Sequence, residues 1–399
     1  MGKNAGLKAT LLLTSTDQMV ATSLIIPIMG YIAQAFPNAG ASIMLLMTLP
    51  NLCMVPAILI TGKLCDYVSK KILLVIATLI FTIGGIAGGV YDNFTFMLVT
   101  RAFMGIGAGM LFSLPQAFIA QLFSGQERVT MMGWSAAVGS IFSVIFNMIS
   151  GTLGVINWHY CFYAFAVYFL LVMFQIAKVP NLPPEKKDET LQRDTKDDKL
   201  GFRIVFFSIA IFCMFTLLCF LTVDISLFVI GENLGTSVQA GIASSILTLT
   251  SFAMASLFAF WFKIFKRYLP VVSALAMVVG YFVLSHAYSM STIYIGAVII
   301  GITSGSFGPY FMTRASIVVP KSKQTLAIAI ISTCMFVGMF ATTYYGMFLA
   351  SIFGSSYRNI FFGVSISALI LAIAILIYIP LTQRFEAENP QNMTAEEVK

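Results

Sequence analysis

Three full charges stand inside otherwise apolar runs of this 399-residue chain: Asp17 in "TSTDQMVATSLIIP", Arg101 in "RAFMGIGAG" and Asp224 in "FLTVDISLF". Carboxylates and a guanidinium in such surroundings suit holding, passing or repelling a proton or a charged ligand. Bond-making chemistry is disfavoured, because the chain carries no nucleophile elbow and no nucleotide-binding glycine loop; that argues against an enzyme and against an ATP-driven pump. His159 and His286 are the only histidines, and the six cysteines (Cys53, Cys65, Cys161, Cys213, Cys219, Cys334) are scattered without a C-x-x-C pair. Neither a metal site nor a disulfide framework is expected, and the cysteines read as packing residues. No cofactor is expected.

What those charges cost depends on the solvent around them. Hydrophobic residues make up 59% of the chain, charged residues only 10%, and the mean hydropathy is +0.92. A soluble chain of that composition would aggregate, so the bilayer is the default solvent. A hydrocarbon core roughly 30 Å thick asks for about 20 apolar residues per helix, and such runs recur. Twelve candidate spans start near residues 8, 41, 71, 94, 129, 158, 203, 236, 268, 290, 324 and 357. The N-terminal "MGKNAGLK" is basic and leads into a span with no small-residue cleavage site, so that span is expected to be retained.

The connections test this count independently. With the N-terminus cytoplasmic, all but Arg101 and Arg358 of the 23 lysines and arginines fall in cytoplasmic segments. The net charge of +7 thus records topology and needs no nucleic-acid partner. Trp158 and Trp261 fall at span ends, where amphipathic rings favour the interface. Both termini are expected in the cytoplasm of a multi-pass plasma-membrane protein, its contacts being lipid and a small-molecule substrate, with the chain a monomer.

Between spans six and seven lies "KVPNLPPEKKDETLQRDTKDDKLG", a polar stretch of nearly balanced charge that suits a solvated connector. It divides the chain into residues 1–178, a linker 179–201, residues 202–383 and a tail 384–399. The halves echo each other: Gly107 precedes Pro115 by eight residues, Gly301 precedes Pro309 by eight, and basic clusters follow spans two and eight. Two repeated six-helix bundles form a recognised transporter plan, with the substrate site between them near the midplane.

In this setting the chain resembles the major facilitator superfamily, and more narrowly its drug:proton antiporters. Gly62, Leu64, Asp66, Lys70 and Lys71 are similar to that superfamily's G-x-L-x-D-x-x-G-R-K/R loop between spans two and three, with Ser69 in place of glycine and Lys70 in place of arginine. The resemblance implies a gating loop whose Asp66 engages the connection between spans four and five, where Arg128 matches a basic residue, and the start of helix eleven. A carboxylate near a helix N-terminus gains about 0.3–1 kcal/mol, up to roughly 2 when partly buried, a useful size for a latch that must open. Arg101–Gly109 resembles the R-x-x-x-G-x-G pattern of proton-coupled members, and its glycines allow close helix approach. Alternatively, Arg101 lies near enough to the outer end to snorkel. "DQMVATSLIIP" resembles the D-x-T-I-V-x-x-A-L-P run of span one, with Pro27 one position late. A fourth pattern fails in part: "FNMISG", Phe146–Gly151, lacks all but the last glycine of the exporters' G-P-x-x-G-G, and His159 replaces the arginine after the tryptophan. These departures leave the direction of transport open.

The resemblance implies twelve transmembrane helices in two pseudo-symmetric six-helix bundles, an all-α integral membrane protein. Asp17 lies roughly nine residues into its span, about 14 Å at 1.5 Å per residue, too deep to reach outside water. It must face a cavity, find a partner or carry a proton. Asp224 reads either as a second acidic site or as a residue close to the outer interface. Asp17, Arg101 and Asp224 are the expected proton-coupling set, with Gln34, Gln116 and Asn147 as candidate substrate contacts; Gln121 and Gln175 are further uncharged polar candidates, most of them suited to interhelical contacts. The 22 Met and 36 Phe suit an adaptable apolar pocket as well as packing and lipid contact. The expectation is proton-coupled export of small amphipathic or cationic molecules by alternating access. Uptake or exchange of an organic anion, anchored by Arg101, is the alternative; a non-transporting sensor or lipid-handling protein is the third.

Overall fold

The computed structural model describes residues 2–182, 202–318 and 324–387. The 183–201 part of the linker, the tail from 388 and the side chains from 312 to 328 lie outside the described residues, as does the start of helix eleven where Asp66 is expected to engage.

The described chain is helical: α1 (Gly2–Thr14), α2 (Asp17–Ser23), α3 (Met29–Ala35), α4 (Leu45–Leu64), α5 (Lys70–Ala87), α6 (Phe94–Leu122), α7 (Gly125–Ile156), α8 (His159–Tyr163), α9 (Val167–Lys178), α10 (Phe202–Gly231), α11 (Ser237–Ser256), α12 (Phe258–Phe265), α13 (Leu269–Ser285), α14 (Met290–Val318), α15 (Gln324–Phe353) and α16 (Tyr357–Ala387). Lipid offers no hydrogen bonds, so each span must satisfy its own backbone. Ten helical segments are long and apolar enough to cross a bilayer, the bent pair Ala5–Thr14 and Met19–Ala35 makes an eleventh span, and the shorter apolar helix Leu269–Ser285 stands where span nine is expected. They pack as two six-helix bundles.

Span one is broken. Its halves meet at 49°, and the break falls at Ser15–Thr16, upstream of Pro27. The hydroxyls of Thr14, Ser15 and Thr16 donate to carbonyls one turn back, at 2.7–3.0 Å, competing with the backbone ladder as serine and threonine do in apolar helices. Pro27 adds a 3-10 turn at Ile26–Ile28.

Small residues set how closely the helices approach. A Cβ on Gly105 or Gly109 would lie 2.6–2.7 Å from carbonyl oxygens of α4, and one on Gly107 would lie 2.5 Å from the Phe81 backbone nitrogen of α5. In the second half Gly301 and Gly305 pack α14 onto α11. The structural counterparts of Gly301 and Gly305 are therefore Gly105 and Gly109, two residues out of register with the Gly107–Gly301 echo in the sequence.

The bundles meet tightly at the end away from the N-terminus, here called the far face. Ser226 Oγ donates to the Pro27 carbonyl at 2.7 Å and accepts from the Gly30 amide at 3.1 Å. A Cβ on Gly30 would strike Ile230 at 2.6 Å, and one on Gly241 would come 2.7 Å from the Asn147 carbonyl oxygen. Ser237 Oγ donates to the Gly151 carbonyl at 2.6 Å, and Thr48 and Thr343 share a hydrogen bond at 2.7 Å.

Each bundle is also tied across its far end. His159, in the place of the family's arginine, sets Nε2 2.7 Å from Asp92 Oδ1 and Nδ1 2.7 Å from Asn157 Oδ1. Arg358, the one basic residue of the expected outer loops, donates to Glu232 at 2.8 Å and to the Ala287 carbonyl at 3.1 Å, and lies 4.4 Å from the Tyr288 ring centroid.

Tyr281 of α13 enters the α10 ladder. Its hydroxyl donates to the Leu217 carbonyl at 2.7 Å and accepts from the Leu221 amide at 3.1 Å, a pair that a regular helix would join directly. Removing that hydroxyl in Tyr281→Phe should destabilise the protein by about 1–3 kcal/mol, measurable as a lower melting temperature; unchanged stability would mean that the ladder recloses without cost. Valine at Gly30 or Gly241 should hold the far face apart. Spin labels at positions 34 and 233 in a cysteine-free background would report a longer distance, and an unaltered distance would show that these glycines do not limit closure.

Candidate functional site

A cavity of about 410 Å³ lies between the bundles. Met19 and Ser23 of α2, Asn51 of α4, Ser140 and Ser143 of α7, Cys219 and Thr222 of α10, Ser244, Thr248 and Ser251 of α11 and Ser304 of α14 contribute to its wall. Phe215, Phe252, Met47 and Met339 supply apolar surface, so the expected Met and Phe pocket is partly realised here. Among the described residues the wall carries no charged side chain. It extends from the midplane towards the termini, and the far-face contacts close its other end.

Two rows of these hydroxyls come from spans five and eight, as helical spacing allows. Ser244, Thr248 and Ser251 follow an i, i+4, i+7 pattern that lays one polar stripe along α11; Ser140 and Ser143 do the same on α7. Ser23 Oγ and Ser143 Oγ meet at 2.6 Å, while Ser251 Oγ is buried without a partner. These stripes were readable in the sequence as period-3.6 hydroxyls in apolar helices, yet the glutamines and asparagine were the expected contacts. The structure places those elsewhere. Gln34 and Gln116 are exposed on helix surfaces away from the cavity. Asn147 is buried, but in the α7–α11 seal beside Gly241, with Oδ1 unpartnered. Gln175 is an interhelical contact, donating to Thr14 at 3.1 Å and Thr78 at 2.9 Å.

The three charges stand one layer behind the wall. Asp17, the first residue of α2, is 1% exposed, and neither carboxylate oxygen has a hydrogen-bond partner of ordinary geometry. The Tyr168 hydroxyl, 3.4 Å from Thr16 Oγ1, lies within interaction range of that carboxylate. Asp17 does not itself line the cavity, although Met19 and Ser23 do. Asp224 is fully buried with both oxygens unpartnered, within electrostatic reach of Tyr281 and Tyr357, while its neighbours Val223 and Ile225 face the cavity. Burial of Asp224 shows that its carboxylate faces protein and not lipid or outside water.

Arg101 is 1% exposed and does not snorkel. Its guanidinium carbon lies 4.8 Å from the Phe162 ring centroid and 5.6 Å from that of Phe165, and Nη1 donates to the Met104 sulfur at 3.1 Å. Nε and Nη2 have no partner, so Asp17 and Arg101 are not paired.

The gating-loop residues are only partly assembled. Gly62 and Arg128 are exposed, Asp66 is half-buried and Lys70 is buried. No ion pair joins Asp66 to Arg128 among the described residues. The loop is anchored instead to the stretch at and beyond the end of α9, by Ser69 to Asn181 and by Lys71 Nζ to the Ile176 carbonyl at 2.8 Å. Beside Arg128, Glu127 pairs with Lys8 at 2.6 Å.

Comparison with known proteins agrees with this architecture. The multidrug efflux pump SdrM of Staphylococcus aureus (strain N315) is 28% identical over 178 residues, covering 44% of this chain and 39% of SdrM. The multidrug transporter protein MdtP of Bacillus subtilis (strain 168) is 31% identical over 105 residues, 26% of this chain and 19% of MdtP. The chain thus matches less than half the length of these curated relatives. In fold it is similar to the crystal structure of a mutant of the nucleoside transporter NupG, with a TM-score of 0.79 at 14% identity over 93% of this chain and 99% of that one. The D-xylose-proton symporter gives a TM-score of 0.73 at 15% identity over 92% and 96%. The family model of the Major Facilitator Superfamily matches residues 11–316 and 207–396. With both halves matched and two six-helix bundles enclosing a central cavity, this multi-pass membrane protein belongs to the Major Facilitator Superfamily.

Proposed function

We propose that the chain is a proton-driven secondary transporter that exports small amphipathic molecules by alternating access, and is not an enzyme. The observation that carries this reading is the layering of the site: an apolar, hydroxyl-lined cavity with no charge in its wall, backed by carboxylates that are buried and unpaired. The wall suits uncharged amphipathic molecules best, since a few placed hydroxyls orient a ligand whose apolar surface does the binding. Cations are second, because Asp17 and Asp224 act on them only through the wall. The organic-anion reading is weakened because Arg101 does not face the large cavity.

Asp17 and Asp224 are the proposed proton carriers. Each lies in the first span of its half, Asp17 directly after the break in span one. The driving force is sufficient: a proton crossing 100 mV contributes about 2.3 kcal/mol, and each pH unit roughly 1.36 kcal/mol. Export is supported by the similarity to the multidrug efflux pump SdrM. The incomplete "FNMISG" pattern is less of an objection once Gly151 is seen in the far-face contact with Ser237. We read the far face as external, the termini as cytoplasmic and the location as the plasma membrane, with Asp66 and Arg128 separated because this state is shut on the other side. The chain acts as a monomer in contact with lipid, without cofactor, metal or nucleic acid.

Substrate-induced proton release from the purified protein tests the coupling. Asp17→Asn should release fewer protons per bound substrate than wild type, and an unchanged stoichiometry would remove Asp17 from the mechanism. Because neither carboxylate has a counter-charge, Asp17→Asn and Asp224→Asn should melt within about 1 kcal/mol of wild type. Breaking a buried ion pair would instead cost about 3–5 kcal/mol. In everted vesicles an imposed pH gradient, acid inside, should drive accumulation of an amphipathic substrate; accumulation only under the opposite gradient would reverse the direction.

A further inference from the structure

Arg101 presents a problem that the transport reading leaves unsolved. A guanidinium keeps its charge at neutral pH and accepts no hydrogen bonds, and this one is 1% exposed. Its contacts are two aromatic rings and a thioether, a weak acceptor. Nε and Nη2 are unpartnered, and the buried carboxylate of Asp17 has neither oxygen hydrogen-bonded to them. No carboxylate compensates Arg101 among the described residues.

Beside the guanidinium lies a separate void of about 20 Å³, walled by Arg101 with Thr22, Asn51, Met54, Met104 and Ala108 among others. A void needs roughly 10–15 Å³ to admit one water-sized occupant, so this one takes a single small species and excludes an organic anion. Thr22, Met47 and Asn51 line both this void and the central cavity. The partition between the two is therefore one side chain thick, which offers an exchange route.

We propose that the void is a binding site for one monovalent anion of the halide class, with chloride the physiological occupant and the guanidinium of Arg101 its anchor. A water there would satisfy a donor and leave the positive charge uncompensated. A halide neutralises it, accepts from the orphaned N–H groups and needs no donor of its own. Met47, Met54 and Met104 complete a wall that brings no competing negative charge. The site stands apart from the transport reading: it concerns occupancy beside Arg101, whichever way substrate moves.

Bromide is the probe. Crystals of the full chain grown in sodium bromide should give an anomalous peak within hydrogen-bonding distance of the Arg101 guanidinium. In solution the melting temperature should rise saturably with chloride or bromide replacing gluconate at constant ionic strength. Arg101→Gln should abolish that rise, and so should Ala108→Val, which narrows the void while keeping the charge. If the first variant does not fold, the wild-type anomalous map and the second variant still decide. Absence of bromine at Arg101, equal melting in chloride and gluconate, or a halide effect that survives Arg101→Gln would each overturn the site. None of these readouts depends on transport.

Discussion

A bilayer supplies no hydrogen bonds to a helix that departs from its own ladder, and the working parts of this protein follow from that constraint. At three places in the spans a side chain supplies a backbone partner. The hydroxyls of Thr14, Ser15 and Thr16 cover carbonyls at the break in span one. Ser226 bonds the Pro27 carbonyl and the Gly30 amide beyond it. Tyr281 bonds both the Leu217 carbonyl and the Leu221 amide of α10. In the second case the partner comes from the opposite bundle, so the backbone defect in span one and the closed far face are one contact seen from two sides.

These side-chain contacts to backbone concentrate in the first span of each half, beside the two unpaired carboxylates. A broken helix presents fewer regular contacts to its neighbours and can change tilt without unmaking a full ladder. Asp17 follows the break in span one directly, and Asp224 lies three residues beyond Leu221 in α10. Movement of either segment would change the surroundings of a carboxylate, which is the physical requirement for tying proton affinity to conformation. The layering reinforces the point: charges one layer behind the wall can act on the cavity only through the field.

Much of the fold was legible because composition and charge asymmetry report the solvent directly. The twelve span positions, the repeat of six and the burial of Asp17, Arg101 and Asp224 follow from hydropathy and from the cost of exposing such groups to lipid. The site was less legible. Gln34 and Gln116 drew attention as polar residues in apolar runs, but polarity does not say which way a helix faces, and both point away from the cavity. The hydroxyl stripe of Ser244, Thr248 and Ser251 carried that directional information through its spacing. The Gly107–Gly301 echo likewise matched by count but not by packing face.

By itself the sequence determined the solvent, the number and order of spans, the duplicated halves and which residues are too costly to bury without purpose, since these depend on transfer free energies that each residue carries with it. Only the tertiary structure decided that Asp17 and Arg101 do not pair, that the cavity wall is neutral, that the far face is the closed one and that a void adjoins the guanidinium. Those facts depend on rotation about each helix axis and on distances between bundles, and a one-dimensional pattern of apolar residues leaves both undetermined.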